Sequence, residues 1–445
     1  MTRIVLIGGG SPTWGPTFVR DLLATPELAG STIVLHDLAP ERLDRVHALG
    51  TRLITAFGLD FHLEKTLVLP EALTGADVVV LTITTGGLDA MRADLEIPAR
   101  YDIRQSVGDT TGPGGLSRAL RNIPVVSEIG RQVMAHCPRA LFLNYTNPLS
   151  VLTRVLALQG VRVVGLCHEW HGVRAHLATL FDVPPEQVRA RIAGINHLVW
   201  VTDLYAGRRR VWTELPAIAE EILHGRIAVD ADDASVFADH AKVKATLLRT
   251  YGALPAAGDR HIAEFFPHFI TANADWGRAY DLRLTSLEDR RQLERDAWAS
   301  IEAALRGETN LAEFMRDVSG EAASQITRAW AGGAPYAGIM NLPNVGQVGN
   351  LPRDAIVETL GVVDVTGAHG LAFGDLPDGV QSVLEHHVRQ QELTVRAALA
   401  GSRTLALQVL LNDPLSSPLS VTQAEHLLEE LLEANRSFLP RFFGP

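Results

Sequence analysis

The chain opens on a short β-branched run, Arg3-Ile-Val-Leu-Ile7, which predicts a buried strand. Three glycines, Gly8-Gly9-Gly10, follow at once, and the spacing of apolar positions turns helical over 16–24. Residues 32–36 read as a second strand that closes on Asp37, and 42–57 as a helix. Three more buried strands are predicted at 76–83, 140–144 and 161–166, with helices at 115–136 and 148–158 between them. Strands that are apolar almost throughout, alternating with helices, predict a parallel sheet covered on both faces. After about residue 195 the alternation fades. A strand is expected at 199–205, then long amphipathic helices at 287–305, 379–399 and 422–438. The acidic stretch 229–235 reads as a surface loop.

The Gly8–Gly10 turn gives the first half a function. A dinucleotide site needs glycines where the backbone bends sharply after a strand, so that a pyrophosphate can reach the amides of the next helix. Gly8, Gly10 and Ser11 are therefore cofactor-binding candidates. Asp37 ends the second strand, where a carboxylate accepts the ribose hydroxyls of NAD and repels the extra phosphate of NADP. The G-x-G-x-x-G pattern is incomplete, because Thr13 stands where the third glycine belongs. The fold class expected is α/β: an N-terminal Rossmann domain of the lactate/malate dehydrogenase type over 1–195, and a C-terminal α+β domain over 196–445 for substrate and subunit contacts.

Composition narrows the partners. The 445 residues exceed what one core spans, and the net charge of −11, without a basic run, argues against nucleic acid. No segment approaches the apolar length of a membrane span. There are only two cysteines, Cys137 and Cys167, and the N-terminus enters a strand directly, so a reducing cytoplasm is expected.

A second group of residues lies at expected strand ends: Gly165-Leu-Cys167-His168-Glu169-Trp170, then Gly194-Ile-Asn196-His197. Ligands gather at the carboxyl ends of strands in such sheets, and a thiolate with an imidazole there could hold a divalent metal. On spacing alone the plainer alternative is stronger, since a lone buried cysteine or histidine usually just packs. His168-Glu169-Trp170-His171 is one residue short of the H-E-x-x-H zinc motif, which excludes that reading.

Taken together, these motifs resemble glycoside hydrolase family 4, the NAD- and Mn-dependent glycosidases. The likeness rests on the Gly8–Ser11 turn, Arg92-Ala-Asp94-Leu-Glu96-Ile-Pro98, Gly108-Asp109-Thr-Thr-Gly-Pro-Gly-Gly115, Asn144-Tyr-Thr-Asn147-Pro148, Gly165-Leu-Cys167-His168, Gly194-Ile-Asn-His197 and Asn344-Val-Gly-Gln-Val-Gly-Asn350-Leu-Pro352, in that order. Such enzymes depart from the two-carboxylate glycosidase mechanism. The resemblance implies hydride transfer from sugar C3 to NAD, loss of the C2 proton, elimination of the aglycone, addition of water and return of the hydride. It implies that Cys167 and His197 hold a Mn²⁺ or another divalent metal against the C2 and C3 oxygens.

Further roles follow from the resemblance. Asn147 is expected to contact the cofactor and the sugar hydroxyls near the nicotinamide, and His168 to act as general acid on the leaving oxygen or to contact substrate. Asp259, in Gly258-Asp259-Arg260-His261, is the expected base, with Tyr251 in reserve. Asp109 is expected to contact substrate. Cys167-His168-Glu169 resembles the branch acting on α-linked uronic acids, although Trp170 departs from the usual small aliphatic residue there. The C6 carboxylate of such a sugar needs a cation, and Arg92 or Arg260 is expected to supply a bidentate partner. The expected substrate is therefore a small α-glucuronide or α-galacturonide, and the resemblance implies a homo-oligomer, dimer or tetramer. Alternatives are a neutral α-glucosidase or α-galactosidase, an NAD-dependent dehydrogenase of the lactate/malate type, and a non-catalytic NAD-binding sensor.

Overall fold

The structure, a computed structural model, describes residues 1–229 and 237–444. The expected acidic loop at 229–235 falls, except for Val229, outside the described residues. The first half contains β1 (Arg3–Ile7), β2 (Thr32–His36), β3 (His62–Thr66), β4 (Val78–Leu81), β5 (Leu141–Asn144) and β6 (Arg162–Gly165). They pair in parallel in the order β3-β2-β1-β4-β5-β6. This is the doubly wound order of dinucleotide-binding folds. The expected helices appear as Trp14–Leu23, Pro40–Phe57, Gly112–His136 and Leu149–Leu158. The hydrophobic pattern missed β3, and the reason is physical. His-Leu-Glu-Lys-Thr is an edge strand with no fully buried residue, and polar residues guard edges against further pairing.

The sheet continues past β6. Gly165 pairs with Asn341 of β11 (Tyr336–Pro343), and from there the strands run antiparallel. β11 pairs with β12 (Ile356–Asp364), β12 with β7 (Val188–Ile195), β7 with β8 (Leu198–Ala206), and β8 with β10 (Leu254–Pro255). Two short strands, β9 (Arg209–Arg210) and β13 (Gly367–Gly370), hang on β8 and β12. The junction depends on Gly165, since a Cβ there would lie 2.9 Å from the Asn341 Cβ and 2.8 Å from Thr153 Oγ1. One sheet thus serves both halves. The expected boundary at residue 195 falls in the β7–β8 hairpin, whose strands pair Ile195 with Leu198. The late helices Asp378–Ala400, Arg403–Asn412 and Val421–Ala434 fold back to pack against the helices of the first half.

A buried ion pair ties two helices of the first half together. Arg121 on Gly112–His136 makes a two-pronged contact with Asp94 on Gly87–Ala99, at 2.7 and 2.6 Å, and both side chains are wholly buried. Arg121 Nε also donates to the Thr85 carbonyl at 2.9 Å. The loop between the two helices carries Asp109. Removing one partner strands a buried charge, which typically costs about 3–5 kcal/mol. Arg121→Met should therefore lower the unfolding free energy by an amount of that order, read from the shift in denaturant midpoint at unchanged m. An unchanged midpoint would show that the pair does not hold the helices.

Candidate active site

The glycine turn is sterically locked. Gly8 has φ +90, and a Cβ on it would lie 1.9 Å from the Thr82 carbonyl oxygen; one on Gly10 would lie 2.8 Å from Asp37 Oδ2. The role of the missing third glycine is taken by Gly15, two residues after Thr13. A Cβ on Gly15 would meet the Gly9 carbonyl at 2.5 Å and Val46 at 3.0 Å, so this glycine lets the helix Trp14–Leu23 press onto the turn. Ser11 Oγ accepts from the Trp14 amide at 3.2 Å. Asp37 is anchored by the Gly10 and Ala39 amides, both at 3.0 Å, and stays partly exposed beside the turn.

Asp109, His197 and His261 come from three further segments. The first is the loop 105–111. Gly114 and Gly115 let the start of the helix Gly112–His136 lie against it, and a Cβ on Gly115 would be 2.5 Å from the Thr110 carbonyl carbon. The second is the hairpin turn Asn196–His197. Gly194 permits it, since a Cβ there would meet the Leu198 carbonyl at 2.4 Å, and His197 has φ +63. That conformation is uncommon for a non-glycine residue and tends to mark functional sites. The third is the segment 258–264. Buried Glu264 accepts from the Val107 and Gly108 amides at 2.7 and 2.8 Å, and Ser106 Oγ donates to the Arg260 carbonyl. The third loop thereby fastens the first.

These loops bring Asp109, His197 and His261 together, with potential ligand atoms within 4.8 Å of one another. Thr110 Oγ1 bridges Asp109 Oδ1 and His197 Nδ1, both at 2.7 Å. The His197 and His261 rings lie 3.8 Å apart between centroids, and His261 Nδ1 is buried without a hydrogen-bond partner. Burial and the adjacent His261 bring His197 down to about 3, which leaves its lone pair free for a cation. Burial would raise the Asp109 carboxyl, but His261, His197 and Arg118 outweigh it and hold it well below the ordinary carboxylate range. Two imidazoles and a carboxylate around an orphaned ring nitrogen suit a divalent transition metal. Cys167 Sγ does not join this cluster as the side chains stand. Burial, with Glu358 and Glu169 nearby, pushes its thiol well up, so it becomes a ligand only where a cation draws off its proton.

His168 caps the helix Glu169–Leu180 and is more than half exposed. Its Nδ1 is 3.5 Å from Glu321 and its Nε2 3.6 Å from Glu169, and the contact with Glu321 raises its pKa. Glu169 Oε1 is also 3.6 Å from His261 Nε2, and its Oε2 accepts from the Gly258 amide at 2.6 Å. Burial opposes its charge, but His261, His197 and His168 bring Glu169 down to about 2. Asn147 joins the set through its side-chain amide, which donates to Asp109 Oδ2 at 3.0 Å. The sequence motifs assign no role to His261, Glu264 or Glu321, and place Glu169 only within the substrate-class motif. His261 adjoins the assigned Arg260, whereas Glu321 carries no local signal at all.

Four of the expected residues are engaged elsewhere in the structure. Asp259 is not presented as a base: its carboxylate is buried and accepts from the Val243 and Lys244 amides at 2.8 and 3.0 Å, with Lys244 Nζ at 2.9 Å. It anchors the start of the helix Lys242–Tyr251. The reserve, Tyr251, is packed among Trp200 and Phe266. Arg92 lies on the surface, paired with Asp89 at 2.9 Å. Arg260 is buried and supports the first loop, donating to the Ser106 carbonyl at 3.1 Å and to Thr285.

Family models match almost the whole chain. One, described as family 4 glycosyl hydrolase, covers residues 3–183; the other, described as the C-terminal domain of that family, covers 192–416. An α-galacturonidase of Bacillus subtilis is 35% identical over 97% of this chain and 97% of its own. The crystal structure of a putative glucosidase from Bacillus subtilis matches with a TM-score of 0.89 at 32% identity, covering 97% of this chain and all of the other. A 6-phospho-β-glucosidase of Thermotoga maritima, solved with manganese, NAD⁺ and glucose-6-phosphate, shares the fold with a TM-score of 0.81 at 24% identity, over 99% of each chain.

The fastening of the first loop has a pH signature. Burial raises Glu264 from 4.5 to about 8. Between those values the folded state binds a proton that the unfolded state has lost, so stability falls as pH rises through that window and levels off above it. Glu264→Gln keeps an acceptor for both amides but cannot ionise. Its stability should fall less than that of the wild type between pH 5 and 8, measured by denaturant unfolding; parallel profiles would show that Glu264 is ionised in the fold.

Proposed function

The chain belongs to family 4 of the glycosyl hydrolases, and from that premise we propose that it cleaves α-linked galacturonides with the help of NAD and a divalent metal, manganese first. It is a glycoside hydrolase. The observation that supports the metal-dependent reading is the convergence of Asp109, His197 and His261, on a sheet whose first turn is built for a dinucleotide. The α-galacturonidase relative and the Cys167-His168-Glu169 motif support the uronide as substrate.

NAD fits the turn because Gly8, Gly10 and Ser11 open onto the N-terminus of the helix Trp14–Leu23, with Asp37 poised for ribose hydroxyls. Asp109, His197 and His261 would hold the metal, with the Cys167 thiolate as a further ligand that the family resemblance implies. When bound, NAD supplies a hydride acceptor restored within each turnover, and the metal a Lewis acid beside the sugar hydroxyls. Asn147, held by Asp109, orients the sugar. His168 donates a proton to the leaving oxygen; Glu321 and Glu169 flank its two ring nitrogens and favour its charged form. Functionally, residues 1–195 bind the nucleotide and 196–445 complete the catalytic site. Among the described residues no helix is long and apolar enough to cross a membrane. We place the enzyme in the cytoplasm as a homo-oligomer, dimer or tetramer, which light scattering would check.

A panel of p-nitrophenyl α-glycosides, carrying galacturonic, glucuronic, neutral and 6-phospho sugars, tests the reading with NAD, Mn²⁺ and a thiol reductant. The galacturonide should be cleaved fastest without net NADH. Accumulating NADH would point to a dehydrogenase, and NAD binding with no hydrolysis of any member to a sensor. Cys167→Ser should lose metal-dependent hydrolysis by at least about 100-fold, the scale of a lost ligand or its support, while NAD affinity holds; full activity would remove Cys167 from the metal site.

A further inference from the structure

A uronide brings a carboxylate into the site, and both cations expected to meet it are engaged elsewhere. Arg92 is on the surface with Asp89, and Arg260 braces the loop 105–111. Arg118 lies two turns into the helix Gly112–His136, and its Nε donates to the Asn147 carbonyl at 3.2 Å. Asn122, four residues on, donates to the same oxygen at 3.0 Å. The two together pin this helix face to the end of β5, beside the Asn147–Asp109 hydrogen bond. Arg121, three residues on from Arg118, locks the helix through Asp94. The Arg118 side chain is therefore held on a rigid element.

Its terminal nitrogens are a different matter. Among the described residues, Arg118 makes no ion pair, and its one side-chain hydrogen bond uses Nε. It is half-buried, close enough to Asp109 and Arg290 for their charges to act on it. The neighbourhood sets the charged carboxylates of Asp109 and Glu169 against several guanidinium groups. Arg260 and Arg290 also lie near, and Arg290 too makes no ion pair among the described residues. Of the carboxylates there, Asp94 is committed to Arg121, and Asp109 accepts from Thr110 and from the Asn147 side chain. A guanidinium whose outer edge has no partner, in a partly water-excluded site, fits a planar carboxylate through two parallel hydrogen bonds. A neutral sugar would leave that edge unsatisfied.

We propose that Arg118 is the specificity residue of the site, its outer guanidinium edge binding the C6 carboxylate of the uronide. This rests on the galacturonidase reading and goes beyond it by naming the side chain that separates uronides from neutral galactosides. Discrimination of this kind comes from a buried polar group left unpaired by the wrong substrate.

The test compares kcat/KM of the wild type, Arg118→Lys and Arg118→Met on p-nitrophenyl α-galacturonide and α-galactoside, with NAD and Mn²⁺ saturating. NAD affinity serves as the check on folding. The Met variant should lose at least about 30-fold more on the galacturonide than on the galactoside, within the range for truncating one side of a buried charge pair. The Lys variant should fall between, mainly through KM. Calorimetric binding of free D-galacturonate and D-galactose gives a second measure that needs no turnover: the wild type should prefer the acid, and Arg118→Lys should lose most of that preference. Equal losses on both substrates, with NAD binding intact, would make Arg118 a counter-charge to Asp109 and overturn the proposal. So would a wild type that favours the galactoside. A wild type that cleaves no glycoside would instead sink the hydrolase reading, and galacturonate binding would still decide Arg118.

Discussion

The Asp94–Arg121 ion pair is the constraint from which the active site follows. It is wholly buried and doubly hydrogen-bonded, and it fixes two helices whose connecting loop carries Asp109. Because Arg121 cannot leave without stranding Asp94, the helix Gly112–His136 has one position. Arg118 and Asn122 on its adjacent turns can then be aimed at Asn147. The glycines of 112–115 follow from the same demand, since the helix start lies against the loop it anchors, with no room for side chains.

The second constraint is the join between β6 and β11. A parallel nucleotide-binding sheet ends in an edge, and edges invite pairing. Here the edge at Gly165 is taken up by a strand from nearly two hundred residues later. The antiparallel strands that follow carry the β7–β8 turn, with His197, toward the residues that leave β5 and β6. The active site is thus assembled across a single sheet and does not lie in a cleft between separable bodies.

The electrostatics follow from this crowding. Asp109 and Glu169 are ionised beside three imidazoles, while Glu264 is held neutral by burial. Carboxyl groups of one chemical type therefore serve two purposes: charged ones face the histidines, and the neutral one holds a loop by its backbone amides. The same rule accounts for the setting of Asp259. Its motif neighbours His261 and Arg260 belong to the site or its support, whereas its own carboxylate is taken up by two backbone amides and a lysine.

Some of this was legible in the sequence. The strand–Gly8–helix turn, the apolar parallel strands and the Cys167 and His197 motifs are local features: each depends on residue types a few positions apart, because turns and buried strands restrict φ, ψ and polarity locally. Substitution of Gly15 for the glycine absent at Thr13 was hidden, since it depends on contact with Val46 from another helix. The polar edge strand β3 was hidden because solvent, not the core, chooses its residues. Glu321 beside His168, His261 over His197 and the free outer edge of Arg118 were decided by the tertiary structure alone. Which charges meet depends on how far-separated loops pack, and packing, unlike periodicity, leaves no spacing to read along the chain.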